Sequence, residues 1–245
     1  IMMAILASSI WHLRKQLNLA TPVAAILSIA AVVDAVYLLP GRTGYITSLA
    51  VVLLSVYWGL SARSRWIAFC AIPVLIGIAL HFGGGSRVYS RVSLIAKEAQ
   101  SYVQQGNTST SAGWRLNAWH KSVQSIQEKP LYGFGVGSWA PTVKRLAGER
   151  ATADFGTGNY SNPHNEYLLW GGELGVVGIL LLPALFLLMV IESRKFDEPI
   201  LRALISAIVV SAIACLFNSS LYDALIGDYI CTALGLLLVM GIHHS

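Results

Sequence analysis

Residues Leu168–Val190 read LLWGGELGVVGILLLPALFLLMV, apolar throughout except for Glu173. A helix needs about 20 such residues to cross the hydrocarbon core of a bilayer, so this run is long enough to span it. Directly before it stands Asn159–Tyr167, NYSNPHNEY, a polar stretch that sets His164 among asparagines. A loop needs no such cluster and a span would avoid it, so the junction itself is a candidate for chemistry.

The rest of the 245-residue chain agrees with a membrane reading. It is 55% hydrophobic and only 12% charged, about half the charge of an ordinary soluble domain. Apolar runs read as spans near 19–40, 43–60, 66–82, 166–192, 200–218 and 224–243. Residues 1–13, IMMAILASSIWHL, look like the end of one more. No charged stretch precedes them, so they do not read as a signal peptide. With Ile as its first residue, the chain is expected to be a piece of a longer protein. The expected fold is all-α. It is a polytopic membrane bundle with spans over 1–82 and 166–245 and a large, mostly helical loop over 83–165.

Lys and Arg in short connections mark the cytoplasmic side. Arg14 and Lys15, then Arg63 and Arg65, then Arg194, Lys195 and Arg202 fall on alternate connections, which places 83–165 outside. That loop holds nine Lys/Arg against four Asp/Glu, which equals the chain's net charge of +5. A basic outer surface favours an anionic partner. Cys70, Cys215 and Cys231 all fall inside apolar runs without metal-ligand spacing and read as packing residues. Asn107, Asn159 and Asn218 open Asn-x-Ser matches too short to carry weight.

Within the loop, RVSLIAKEAQSYVQQG reads as a helix closed by Gly106. Leu116, Trp119, Val123 and Ile126 then recur at helical intervals, an amphipathic helix ended by Pro130. Gly133, Gly135 and Gly137 of PLYGFGVGSW punctuate tight turns over a membrane surface. No strand precedes them, so they are no nucleotide fingerprint.

Four features could carry chemistry. Arg42, in PGRTGY, stands at the mouth of a span, where an arginine either anchors to headgroups or grips phosphate with its planar fork. Arg115, in SAGWRLNAWHKS, is either an exposed helix residue or a second such ligand. Asn162 suits a helix N-cap and Pro163 the first helical position, which puts His164 in the first turn. The positive helix end disfavours imidazolium there, and a neutral ring suits a general base. Glu173, in GGELG, is an intramembrane carboxylate, suspect by default. Gly171, Gly172, Gly175 and Gly178 around it permit close packing, so it equally serves to tie helices together. Asn165 and Glu166 stand beside His164 as possible support. The outward segments contain no Asp-x-Asp or tight acidic cluster suited to magnesium or zinc.

Three stretches in order carry a resemblance: GRTGY, then GWRLNAWHKSVQSIQEKPLYGFGVGSW, then NPHNEYLLWGGELGVVGILLL. Across about residues 40–180 the chain resembles the O-antigen ligase family of membrane glycosyltransferases. That family shares its His-Asn box with O-antigen polymerases and pilin oligosaccharyltransferases. The resemblance implies a metal-independent fold of the GT-C-like kind, with the N-terminal spans absent here. It implies a multi-pass protein of the bacterial inner membrane whose site faces the periplasm. The reaction would move a polysaccharide from undecaprenyl diphosphate to a sugar hydroxyl of lipid A–core, with inversion and without metal or cofactor. Arg42 and Arg115 would hold the diphosphate and His164 would be catalytic, with Asn162, Asn165, Glu166 and Glu173 in support. The partners are then the lipid-linked donor, lipid A–core and membrane lipids, with no nucleic acid. A transporter coupled through Glu173, Asp34 and Asp223, or an assembly scaffold, are the alternatives of other classes.

Overall fold

The computed structural model describes residues 1–35, 42–61, 64–65, 87–148 and 161–244, and for 42, 87–89, 91–92 and 244 the backbone alone. The span expected at 66–82 lies outside the described residues. Among them every regular element is a helix: α1 (Met2–His12), α2 (Thr21–Val33), α3 (Arg42–Gly59), α4 (Arg87–Gln105), α5 (Ser111–Glu128), α6 (Trp139–Ala147), α7 (Glu166–Ser193), α8 (Glu198–Phe217) and α9 (Ala224–His244). The chain is thus an all-α polytopic membrane protein. Helices α7, α8 and α9 are each long and apolar enough to cross a bilayer.

Helix α8 is the central post. Some 56% of its apolar stretch is buried, against 22% for α7 and 28% for α9. Its inward residues Ile200, Leu204, Ala207 and Val210 meet Ile5 of α1, Leu182 of α7 and Ile230 of α9. Leu180, Leu188 and Leu236 stay exposed on the outer helices, as lipid-facing side chains must. Cys215 is buried in α8, whereas Cys231 is exposed on α9.

The long helix α7 is broken. Gly175 has φ 67° and ψ −150°, a backbone region essentially reserved for glycine. Past the break the chain doubles back. A Cβ on Gly178 would lie 2.2 Å from the Trp170 carbonyl, and one on Gly171 would lie 2.9 Å from Ile179 Cγ1. Residues eight apart on a straight helix stand about 12 Å apart. The run read as one span is therefore a short arm, residues 166–174, folded against a span, residues 176–193. The sequence pattern missed this because an apolar run looks the same straight or folded.

A broken helix leaves backbone groups unpaired, which an apolar setting does not tolerate. The glycine turns after α5 supply the partners. Phe134 N–H donates to the Gly172 carbonyl at 3.1 Å and Gly135 N–H to the Glu173 carbonyl at 2.8 Å. Val176 N–H donates to the Pro130 carbonyl at 2.7 Å. The approach is close enough that a Cβ on Gly133 would sit 2.4 Å from the Glu173 carbonyl. The Glu173 carboxylate accepts from the backbone N–H groups of Gly137 and Trp139, at the start of α6. It ties these elements together.

The outer helices pack on the arm through small residues. Helix α5 is capped by Thr110, whose hydroxyl accepts from Gly113 N–H at 3.1 Å. Its buried face holds Ala118, Ser122 and Ser125, while Val123 of the expected apolar stripe is 42% exposed. Leu116, Trp119 and Ile126 of the same stripe are half-buried, and Ile126 reaches against Gly171. A Cβ on Gly172 would already lie 3.0 Å from Ser125 Oγ. Trp139 closes this second core, its indole N–H donating to Ser122 Oγ at 2.7 Å.

Gly175→Ala should therefore destabilise the protein by about 3 kcal/mol or more, as backbone strain and the clash with the Leu131 carbonyl combine. Gly235→Ala, with open space around its Cβ, should leave stability unchanged or slightly raised. Thermal unfolding in detergent reads both. An unchanged midpoint for Gly175→Ala would mean that the glycine turns do not grip the break.

Candidate active site

Helix α7 begins with Asn165 as its N-cap, the side chain accepting from Leu168 N–H at 3.0 Å. This corrects the sequence expectation of Asn162 as the cap. His164 lies one residue outside the helix rather than in its first turn, at φ 52°. Histidine enters this left-handed region more readily than most residues, at a cost of about 1–2 kcal/mol. Asn162 shapes the turn instead, its Oδ1 accepting from His164 N–H at 3.0 Å. Helix α5 holds the turn from above, where Trp119 donates its indole N–H to the Pro163 carbonyl at 2.9 Å.

The His164 ring is held on two sides. Nδ1 lies 2.7 Å from Asn218 Oδ1, at the C-cap of α8. The amide oxygen only accepts, so Nδ1 carries the proton and the neutral ring keeps its lone pair on Nε2. Trp114 of α5 packs edge-on against the ring, with centroids 5.5 Å apart. Burial holds the His164 pKa below its usual value. The Asn218 hydrogen bond opposes that shift and the Arg115 cation adds to it. The structure thus brings Arg115 and His164 into one electrostatic environment. A neutral ring with its lone pair on Nε2 has the chemistry to accept a proton from a hydroxyl.

The other expected residues divide. Asn165 uses both ends of its amide on structure, donating from Nδ2 to the Leu216 carbonyl at 2.9 Å. Glu166 is 1% exposed. It accepts from Trp170 Nε1 at 2.9 Å and from the Leu221 and Tyr222 N–H groups at 2.9 and 3.4 Å. These two residues fasten the arm to the α8–α9 turn. Glu173 lies beneath the glycine turns. The Arg42 side chain lies outside the described residues. Its backbone opens α3, and the next two residues, Thr43 and Gly44, line a cleft of about 380 Å³ whose wall includes Asn218. The start of α3 and the partner of His164 therefore share one cleft. Met2, Ala35 and Ile226 make its apolar walls. Among the described residues no group of three His, Cys, Asp or Glu gathers as a metal would require.

Sequence reasoning missed Asn218 and Trp114. In the sequence Asn218 offers only a short Asn-x-Ser match. Its signal was the polar turn FNSSLYD between two apolar runs, which a membrane protein does not place at random.

A family model described as O-antigen ligase matches residues 27–183. A protein of Haemophilus influenzae without a characterised function is 23% identical over 165 residues, 57% of this chain and 40% of that protein. The chain therefore spans less than half the length of that relative.

Because its pKa lies below 6.5, His164 should remain mostly neutral at pH 6.5 and gain its proton only in more acid solution. Asn218→Asp places a carboxylate on Nδ1 and should raise the pKa, because an adjacent opposite charge favours the charged ring. Histidine-selective NMR titration, assigned with His164→Gln, measures both. A ring that titrates at or above 6.5 in the unaltered protein, or one indifferent to Asn218→Asp, would contradict this geometry.

Proposed function

The chain belongs to the O-antigen ligase family, and from that premise we propose that it transfers a polysaccharide from undecaprenyl diphosphate to a sugar hydroxyl of lipid A–core. Family membership supports a membrane enzyme of the ligase and polymerase type, with lipid-linked polysaccharide as its substrate. The observation that carries the finer reading is the His164–Asn218 hydrogen bond of 2.7 Å, with Arg115 close enough to act on the ring.

Nε2 of His164 removes the proton from the acceptor hydroxyl. The freed oxygen attacks the anomeric carbon, whose bond to the diphosphate oxygen breaks, and the configuration there inverts. Negative charge collects on the departing diphosphate, where Arg115, joined by Arg42, meets it with paired charged hydrogen bonds. Such fixed cations perform the part that a metal takes elsewhere, so the reaction proceeds without one. Asn218 keeps the ring in the productive tautomer, and Asn162 sets the turn. The site faces the periplasm of the inner membrane, in keeping with the Arg and Lys pattern of the short connections.

His164→Gln retains hydrogen bonding but takes up no proton near neutral pH. It should lower transfer by about 10²–10⁴-fold, the usual contribution of a positioned base, while donor lipid still binds. Arg115→Lys and Arg42→Lys should each cost about 1.5–3 kcal/mol of transition-state stabilisation, one charged hydrogen bond lost. EDTA should have no effect. The assay uses purified full-length protein, lipid-linked donor and, in separate arms, lipid A–core, a second lipid-linked glycan or a pilin. Near-normal turnover by His164→Gln would remove the base role, and transfer confined to the glycan or pilin arm would replace the acceptor. For topology, a cysteine at Ser111 should label from the periplasm and one at Ser64 should not.

A further inference from the structure

The turns that fill the break in α7 also carry an apolar surface. Leu131 is 61% exposed, Tyr132 80% and Val136 83%, more than any core-forming role permits. Their height follows from the helix they grip. The span of α7 runs over residues 176–193, roughly 27 Å of helix at 1.5 Å per residue. That nearly matches the hydrocarbon thickness of about 30 Å, so Gly175 lies at the hydrocarbon boundary. Helix α8 is of similar length. It starts beside the end of α7 and runs from Glu198 to Phe217, about 30 Å. Its last turn then bonds Asn165 through the Leu216 carbonyl.

The turns are fixed at that boundary by the Val176–Pro130 and Gly135–Glu173 hydrogen bonds of 2.7 and 2.8 Å. Directly below, Val176, Val177, Leu180 and Leu181 are exposed on the lipid-facing side of α7. The three loop side chains extend this lipid surface upward. Cations rim them. Lys129 Nζ stands 4.5 Å from the Phe134 ring centre and Arg145 Cζ 5.5 Å, and Arg145 also pairs with Glu128. An amphipathic Tyr, two aliphatic side chains and a basic rim at this depth match the interface zone of a bilayer.

We propose that residues 131–136 insert into the headgroup and upper acyl region of the lipid bilayer, with Lys129 and Arg145 against lipid phosphates. The partner is phospholipid, and the contact anchors the hinge of α7 to the membrane surface. A partner protein is the poorer match, since the patch continues a surface already committed to lipid. The inference rests on membrane topology alone and stands or falls apart from the transfer reaction.

The test uses the full chain in phospholipid nanodiscs. A nitroxide on Val136→Cys, with Cys70, Cys215 and Cys231 replaced by alanine, should collide with oxygen several-fold more than with a nickel chelate. A nitroxide on Ser109→Cys, exposed on the connector between α4 and α5, should show the reverse preference. A label at Val136 as open to nickel as the one at Ser109 would overturn the proposal. If the cysteine-free background does not fold, benzoylphenylalanine at Tyr132 in the native-cysteine chain answers the same question. Lipid adducts by mass spectrometry are expected, and adducts to protein, including a second copy of the chain, would refute lipid as the occupant.

Discussion

The structure depends on one backbone break at Gly175 and on its repair. An unbroken helix would carry residues 166–174 straight on, roughly 13 Å beyond the span at 1.5 Å per residue. The reversal instead lays the arm across the head of the bundle, where Asn165 and Glu166 fasten to the end of α8 and the turn after it. The glycine turns after α5 take up the stranded carbonyls. Because those turns connect α5 to α6, the same contact that repairs α7 also seats α5, and with it Arg115 and two tryptophans, over the turn of His164. Remove the break and the site loses its walls together.

This arrangement explains why buried polar side chains crowd one end of an apolar protein. Asn165, Glu166 and Glu173 are each buried, and each accepts from backbone N–H groups that the arm, the α8–α9 turn or the start of α6 would otherwise leave bare. A buried donor without a partner costs about 1–3 kcal/mol, so each carboxylate or amide repays its own burial. Their work is scaffold work. His164 differs in that its bond to Asn218 uses Nδ1, and among the described residues no hydrogen bond to Nε2 stands beside it.

Much of the fold was legible in the sequence. The runs at 166–192, 200–218 and 224–243 correspond to α7, α8 and α9, Gly106 closes α4, and Pro130 follows α5. What escaped had a physical reason. Four glycines near Glu173 announce close packing, but spacing cannot say which of them adopts a conformation closed to other residues. Helix α5 buries Ala118, Ser122 and Ser125 most deeply, beside the half-buried stripe that its period announces, because of what it meets. In the site, the cluster around His164 stood out by its polarity. Its partner Asn218 lies 54 positions away, and no local pattern joins them. The N-cap was off by three residues because Asn162 and Asn165 are equally good caps in isolation. The longer-range bond from Asn165 to Leu216 decides between them.

Asn218 in place of a carboxylate gives the site its electrostatic logic under the proposed reaction. A carboxylate on Nδ1 would make the base stronger but would also hold the imidazolium once formed, so the ring would approach neutral pH already charged. An incoming diphosphate pushes the same way, because a dianion within a few ångströms favours protonation of the ring. Burial of the ring and a guanidinium counter that push. Arg115 lowers the His164 pKa and also answers the charge of the donor, so the approach of the substrate and the retention of a free lone pair on Nε2 do not conflict. One cation thereby performs two tasks, binding the leaving group and keeping the base in the state that can use it.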